Sequence, residues 1–396
     1  MRNPSPVILL GLFPTSIHAA RIFRRRGVPV VGYDCDPRQP GFHSRLIRAR
    51  ACPDPAGRPE ALAAFLREEI LRLPARPLLI PSSDEYTDFL NRRREEFSDI
   101  SHFLLPTRDR LHRLLDKKHQ FEAAEKAGLR VPETLCPDTI DDLDGQAGRI
   151  AYPVFVKARR SYTWKKHFLD KGFPVHGPDA LLKTGRMLFD KGIDFLVQRI
   201  VLGGSEKNIE VNLLRLDSGT VYSHTIRKMR QYPVDFGTAT SVRTESVPTL
   251  EAAANRFVRQ TELTGFSNTE FKWDENARSY FFVETNARIW LQVDLCEYVE
   301  HNLLVIAYNH VTGEMLPQHP PRGRKTVYWI DVPNDLFSLT RQPCVRPPDF
   351  MRWLVHAARA KSHGTFYWRD PLPFFLYVIS SLKRMLLKPF RKHASK

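Results

Sequence analysis

Two short runs carry side chains whose spacing suggests chemistry: NTEFKWD, with Glu270, and FFVETNARIW, with Glu284, Asn286 and Arg288. Alternate residues of a strand share a face, so an acid, an amide and a base line one side of the second run. Phe281, Val283 and Thr285 line the other. Folding 269–285 about a turn centred on Ala277 sets Glu270 opposite Glu284. The same fold gathers Phe271, Trp273, Phe281 and Val283 on the core side. Two carboxylates paired across strands lie about 5 Å apart and repel. A cation between them reverses that, and Mg²⁺ takes oxygen ligands from one or two carboxylates plus water and substrate phosphates. Asn286 offers a neutral carbonyl oxygen on that face, and Arg288 points toward whatever anion the metal holds. The other reading of this hairpin is an exposed sheet face of mixed charge, steadied by Lys272.

Upstream runs carry the cations that such a site needs. Lys117 stands beside Lys118 in DKKHQFEAAEKAGLRVPET, ahead of a G-x-x-x-P turn. Lys157 closes the apolar run YPVFVK, where a lysine is ordinarily a solvated cap. FLVQRIVLGGSE carries Gln198, Arg199 and Ile200, then Gly203–Gly204, then Glu206; alone it reads as a hairpin turn. Glu270, the E-x-N-x-R run and these lysines together resemble the ATP-grasp superfamily over roughly residues 1 to 315. Within it, IPSSDEY, DKKHQF and EFKWD look most like the carboxylate–amine ligase subgroup of the D-aspartate ligase type.

The resemblance implies an architecture. A Rossmann-like domain would cover 1–106 and a two-lobed ATP-grasp domain 107–316, its lobes divided near 198–202. The fold class is α/β and α+β, with mixed and antiparallel sheets in the ATP-grasp part, and 317–396 forms a C-terminal extension. The resemblance also implies ATP and Mg²⁺, two ions with Mn²⁺ an admissible substitute, held by Glu270, Glu284 and Asn286. Lys117 and Lys157 would contact the phosphates, the backbone of Gln198, Arg199 and Ile200 the adenine, and Glu206 the ribose. Arg288 would face the transferred phosphoryl group. The implied reaction joins a small-molecule carboxylate to an amine through an acyl phosphate. A catalytically silent ATP-grasp scaffold is the alternative. One departure stands out: ARRSYTWKKH replaces the family's glycine-rich loop and leaves Arg159, Arg160 and Ser161 as donors. The run IRKMRQYPVDFGTATS reads as a substrate loop, with Arg227 and Lys228 for a carboxylate and Gly237 and Thr238 near an oxyanion. A solvated basic loop fits it nearly as well.

The surrounding pattern must position these residues. PVILLG, SIHAARIFRRRG and VPVVGYD read as strand, helix, strand, followed by a helix over 59–73 and the strand PLLIP. Ser82-x-x-Glu85 reads as a capping box for the next helix. Alternating strands and helices predict an open, mainly parallel sheet. The turn GLFPTS has one glycine where a dinucleotide fingerprint needs three, which disfavours a nicotinamide cofactor. Thr107 and Asp116 are candidate caps for two helices, AYPVFVKA is a strand, 291–312 reads as helix, and GEMLPQHPPRGRKT reads as a linker.

At 396 residues the chain can hold two or three domains, and its net charge of +16 favours anionic partners. Nucleic acid is disfavoured because the bases are dispersed and no recognition motif is present. Five cysteines without a C-x-x-C pair suggest reduced thiols and a cytoplasmic protein. The run PLPFFLYVISSLKRMLLKPFRKHASK, 371–396, is apolar then basic, with no acid after Asp370. Two readings stay open for it: a helix on an anionic membrane surface at the inner face, or a terminal helix docked on the domain.

Overall fold

The computed structural model describes residues 4–168, 170–234, 236–317, 326–341 and 347–392. The chain divides into two compact units. One comprises Met1–Leu104, Lys228–Glu245 and Arg288–Lys396; the other comprises Leu105–Arg227 and Ser246–Ala287.

The first unit opens with a parallel sheet in the spatial order Arg48–Ala51, Val30–Asp34, Val7–Leu10, Leu78–Pro81. Its inner strands are buried along their length, as expected for parallel strands covered on both faces. The first turn needs Gly11, whose φ is +88° and whose pro-Cβ position lies 2.5 Å from Ser82 Oγ. Ser82 is therefore committed to that turn, donating to the Gly11 carbonyl at 2.9 Å. The N-cap of the helix Asp84–Arg92 is Ser83, whose hydroxyl accepts from the Tyr86 N–H. This corrects the expected capping box by one residue. The Thr107 side chain makes no capping bond, whereas Asp116 caps its helix by accepting from the Lys118 N–H.

Later parts of the first unit pair the strand Thr238–Thr244 with Tyr328–Ile330. Residues 226–241 are thus not one loop. They form the end of the strand Val221–Tyr232 and the start of the next strand, where the β-branched Thr238, Thr240, Val242 and Thr244 recur at every second position. The stretch 291–312 is also not one helix. A 3-10 turn, Val293–Glu297, precedes the helix Leu303–Thr312, which Asn302 caps. Of the linker, 318–325 lies outside the described residues, as does Cys344. The four described cysteines are all thiols. Among the described residues no helix is long and apolar enough to cross a membrane.

The second unit contains two sheets with separate cores. The smaller runs Thr134–Leu135, Phe195–Arg199, Val154–Ala158, Phe173–Val175, all antiparallel. It packs on the helices Ile140–Ala147 and Pro178–Asp190 through Leu143, Leu181, Leu188 and Phe195. The larger sheet runs Ser279–Asn286, Gly265–Asp274, Asn208–Arg215, then the Val221–Arg227 part of the next strand. Its core lies against the helices Lys117–Lys126 and Pro248–Gln260.

Register in the larger sheet decides where the site faces. Glu270 pairs with Glu284, as the folding about Ala277 predicts. Beyond that pair the register shifts: Phe271 pairs with Phe282, and Val283 is the extra residue of a bulge. The expected core set is corrected accordingly. Phe282, not Phe281 or Val283, is buried with Phe271, in edge contact with Phe121 at 6.0 Å and against Phe257 at 5.3 Å. Phe281 turns to the opposite face, under the Arg199 guanidinium at 5.1 Å. The core prefers the phenyl group that can meet three other rings, each such contact contributing about 0.5–1.5 kcal/mol beyond area burial.

Candidate active site

On the face of the larger sheet away from its core, three glutamates stand in register on adjacent strands: Glu284, Glu270 and Glu210. Two positions along, Asn286, Asn268 and Asn212 form a second row, which His224 extends. The rows are bonded together. Asn268 Nδ2 donates to Glu210 Oε2 at 3.0 Å and to Asn212 Oδ1 at 2.8 Å. Asn286 Nδ2 donates to Glu284 Oε1 at 3.4 Å.

Two elements bring cations to the Glu284 end. Asp116 caps the helix Lys117–Lys126 and also accepts from Arg159 Nη2 at 2.7 Å and Nε at 3.1 Å, tying the helix start to the strand of Lys157. Lys117 Nζ then donates to Ser161 Oγ at 2.9 Å and lies 3.6 Å from Glu284 Oε2. Of the adjacent lysines, 117 is the one directed at the acid. Lys157, in register with Leu196, holds its Nζ 5.4 Å from the Phe121 ring centroid. Burial lowers its pKa to about 8; Glu284 opposes that shift, and Lys117 reinforces it. Burial alone would raise the Glu284 carboxyl, but Lys117, Lys157 and Lys171 outweigh it and hold the group well below the usual carboxylate range.

Five of the residues singled out in the sequence thus group about Glu284 within the second unit: Lys117, Lys157, Glu270, Glu284 and Asn286. Ser161 joins them through Lys117. Arg159 is engaged by Asp116, and Arg160 Nη2 lies 2.8 Å from His112 Nε2. In place of a glycine-rich loop there is a short helix, Ser161–Lys165, anchored by buried Trp164 against Phe168 and Phe173.

Gln198 and Arg199 close the strand Phe195–Arg199 of the smaller sheet, and Ile200 follows it. Gln198 Nε2 donates to Thr134 Oγ1 at 2.9 Å. The Arg199 N–H donates to the Glu133 carbonyl and the Ile200 N–H to the Pro153 carbonyl. Arg199 also pairs with Asp274 at 3.0 Å. Glu206 sits in the 3-10 turn Ser205–Lys207, and its carbonyl accepts from Arg227 Nη1 at 2.7 Å.

The remaining candidates belong to the first unit. Arg288 Nε donates to Asp84 Oδ1 at 2.8 Å, at the start of the helix that Ser83 caps. Lys228 is buried within its strand, Thr238 is exposed, and Gly237 is packed so tightly on Pro233 that no Cβ fits.

Sequence reasoning missed Glu210, Asn212, Asn268 and Lys171. The first three had a legible signal: NIEVN, NTEFK and ETN place Asn and Glu two residues apart on three strands. Lys171 has no such pattern and reaches Glu284 only through the tertiary fold.

Chemically, this is a carboxylate pair with lysines gathered at one end. Its donors, two carboxylates and an amide oxygen, are hard oxygens that fit Mg²⁺ better than a thiol- or imidazole-preferring ion. Among the described residues no three acid, histidine or cysteine side chains converge. Lysines beside a carboxylate pair that suits a divalent cation fit a polyanionic ligand.

No family model matches the chain. D-aspartate ligase of Enterococcus faecium (strain Aus0004) is 22% identical over 422 aligned positions, covering 98% of this chain and 94% of that protein. The biotin carboxylase domain of a Hydrogenobacter thermophilus 2-oxoglutarate carboxylase, solved with MgADP, ADP and bicarbonate, superposes with a TM-score of 0.62. That match covers 83% of this chain and 74% of the other at 14% identity. L-amino acid ligase of Bacillus licheniformis gives a TM-score of 0.61 at 14% identity, covering 83% and 80%. The carboxylate rows, the presence of a two-sheet unit and a parallel-sheet unit, and these likenesses agree: the chain has the ATP-grasp fold and is similar over nearly its whole length to D-aspartate ligase.

Proposed function

We propose that the protein is an ATP-dependent ligase that joins a small-molecule carboxylate to an amine through an acyl phosphate. The observation that carries this reading is the register pair Glu270–Glu284 with Lys117 and Lys157 converging on its Glu284 end. Lys117 and Lys157 hold the ATP phosphates. The 198–200 segment borders the adenine, and Glu206 takes the ribose hydroxyls. Mg²⁺ held by Glu270, Glu284 and Asn286, as two ions or replaced by Mn²⁺, would offset the charge building on the phosphate oxygens. Arg288 stabilises the transferred phosphoryl group. Arg227, Lys228, Gly237 and Thr238 serve the carboxylate substrate and its oxyanion. The amine then displaces phosphate to give the amide. The basic C-terminal helix lies on an anionic membrane surface, which would bring an envelope or polysaccharide precursor within reach.

The test is ADP and phosphate release with Mg²⁺ against a panel of amino acids, short peptides and amino sugars. Release that requires both a carboxylate and an amine is the expected result. Glu284→Ala should abolish it; release that persists unchanged in that variant, or no release with any pair, would overturn the reading.

A further inference from the structure

We propose that the outward face of the helix Pro347–Arg359 is a second contact for an anionic lipid surface, acting beside the C-terminal helix Leu372–Lys392. The part played by the C-terminal helix rests on the reading above; the part played by Pro347–Arg359 stands on its own geometry.

One side of the Pro347–Arg359 helix is already used. Trp353 joins Ile330, Leu339 and Ala360 in a buried cluster, and its Nε1 donates to Asp335 at 2.9 Å. The other side presents Phe350, Met351, Leu354 and Val355, all exposed, Met351 at 61%. Pairs four residues apart lie one above the other, so these make a continuous apolar strip. An ordinary surface helix carries polar residues on that side. The C-terminal helix repeats the pattern. Its Tyr377 hydroxyl donates to Asp331 Oδ2 at 2.8 Å and accepts from Asn334 at 2.6 Å, while Leu372, Phe375, Ile379 and Leu382 are exposed. Trp368, 84% exposed, precedes it.

Charge selects the occupant. From Pro347 to Lys396 the sequence has ten lysines and arginines and two acids, Asp349 and Asp370. Asp370 is buried, accepting from Ser44 Oγ at 2.6 Å, and Asp349 pairs with Arg352 at 3.5 Å. The apolar strips therefore sit in a segment of strongly positive net charge. An anionic bilayer satisfies both features at once: side chains enter the acyl boundary while bases meet headgroups. Nucleic acid would answer only the charge, and a second copy of this chain would meet the bases with like charge.

The experiment is cosedimentation of the full-length protein with phosphatidylcholine vesicles, with and without phosphatidylglycerol. Wild type should bind only the phosphatidylglycerol vesicles. The double variant Met351→Asp, Leu354→Asp should bind at least about tenfold more weakly, from the apolar burial lost. Phe375→Asp with Ile379→Asp should do the same for the C-terminal helix. Unchanged thermal midpoints show that the variants fold. Hydrogen exchange on wild type, with and without vesicles, should show protection over 347–359. Wild-type-like binding by the first pair, with loss in the second, overturns the proposal but leaves the C-terminal helix reading intact. Loss in the first pair alone sustains the proposal and removes that reading. No binding by wild type removes both, and so does a dimer dispersed by Met351→Asp.

Discussion

Lys157→Met should stabilise the ligand-free protein while destroying the ATP use proposed above. Lys157 carries a positive charge in a half-buried place, and its pKa falls from 10.5 to about 8. A fall of that size costs about 3 kcal/mol of folding free energy at pH 7, by linkage. Methionine has similar length and no charge. Losing the cation over the Phe121 ring offsets about 0.5–1 kcal/mol, leaving a gain of about 2 kcal/mol. The sign with pH is specific. Between the folded value near 8 and the unfolded 10.5, the unfolded lysine holds a proton that the folded one has released. Wild-type stability contributed by this group therefore rises across that window, and the gap to Lys157→Met closes. Urea unfolding of both proteins at pH 7, 9 and 10.5 measures the gap as a difference, cancelling other alkaline effects. A variant no more stable than wild type at pH 7, or a gap that stays constant with pH, would refute the reasoning.

Further outcomes follow from other positions. Phe282→Ala should cost about 3–5 kcal/mol in denaturant unfolding, since it empties a place among three phenyl rings. Ser83→Ala should cost about 1 kcal/mol through the lost cap, and Ser82→Ala should leave that cap intact; thermal midpoints compare the two. The pKa of Asp331 is raised by burial to about 6, so the folded state takes up a proton before the unfolded state as pH falls. Its contribution to stability should rise from pH 7 to 5, and Asp331→Asn should flatten that slope in urea midpoints. Asn268→Leu should weaken nucleotide binding measured by calorimetry, because Glu210 and Asn212 lose the amide that joins them.

Much of the site was readable because strands write their faces at a period of two. Glu270 opposite Glu284 follows from that period and from apolar residues that must share a core. Spacing alone does not choose Lys117 over Lys118, since both stand at the start of one helix. The family resemblance selects Lys117, and Ser161 and Glu284 are placed beside it. The core partner of Phe271 was misread for a related reason. FFV offers three apolar residues in succession, and period alone does not say which one the bulge skips. Ser82 and Ser83 posed the same kind of ambiguity, resolved by Gly11 claiming the first hydroxyl. The single helix expected over 291–312 failed because apolar spacing does not distinguish a 3-10 turn followed by a break from continuous helix.

Val283 has a consequence for how this strand pair can change. Its unpaired position works as a phase shift between two stretches of one hairpin. Toward the turn, the phase is set by Phe271 and Phe282; toward the strand end, it is set by Glu270 and Glu284. Deleting Val283 would join the two phases and force a choice: either Phe282 leaves the core or Glu284 leaves its row. Residues 274–279, by contrast, can lengthen or shorten in matched steps without passing any slip to the carboxylates. The turn is open to variation and the bulge is not.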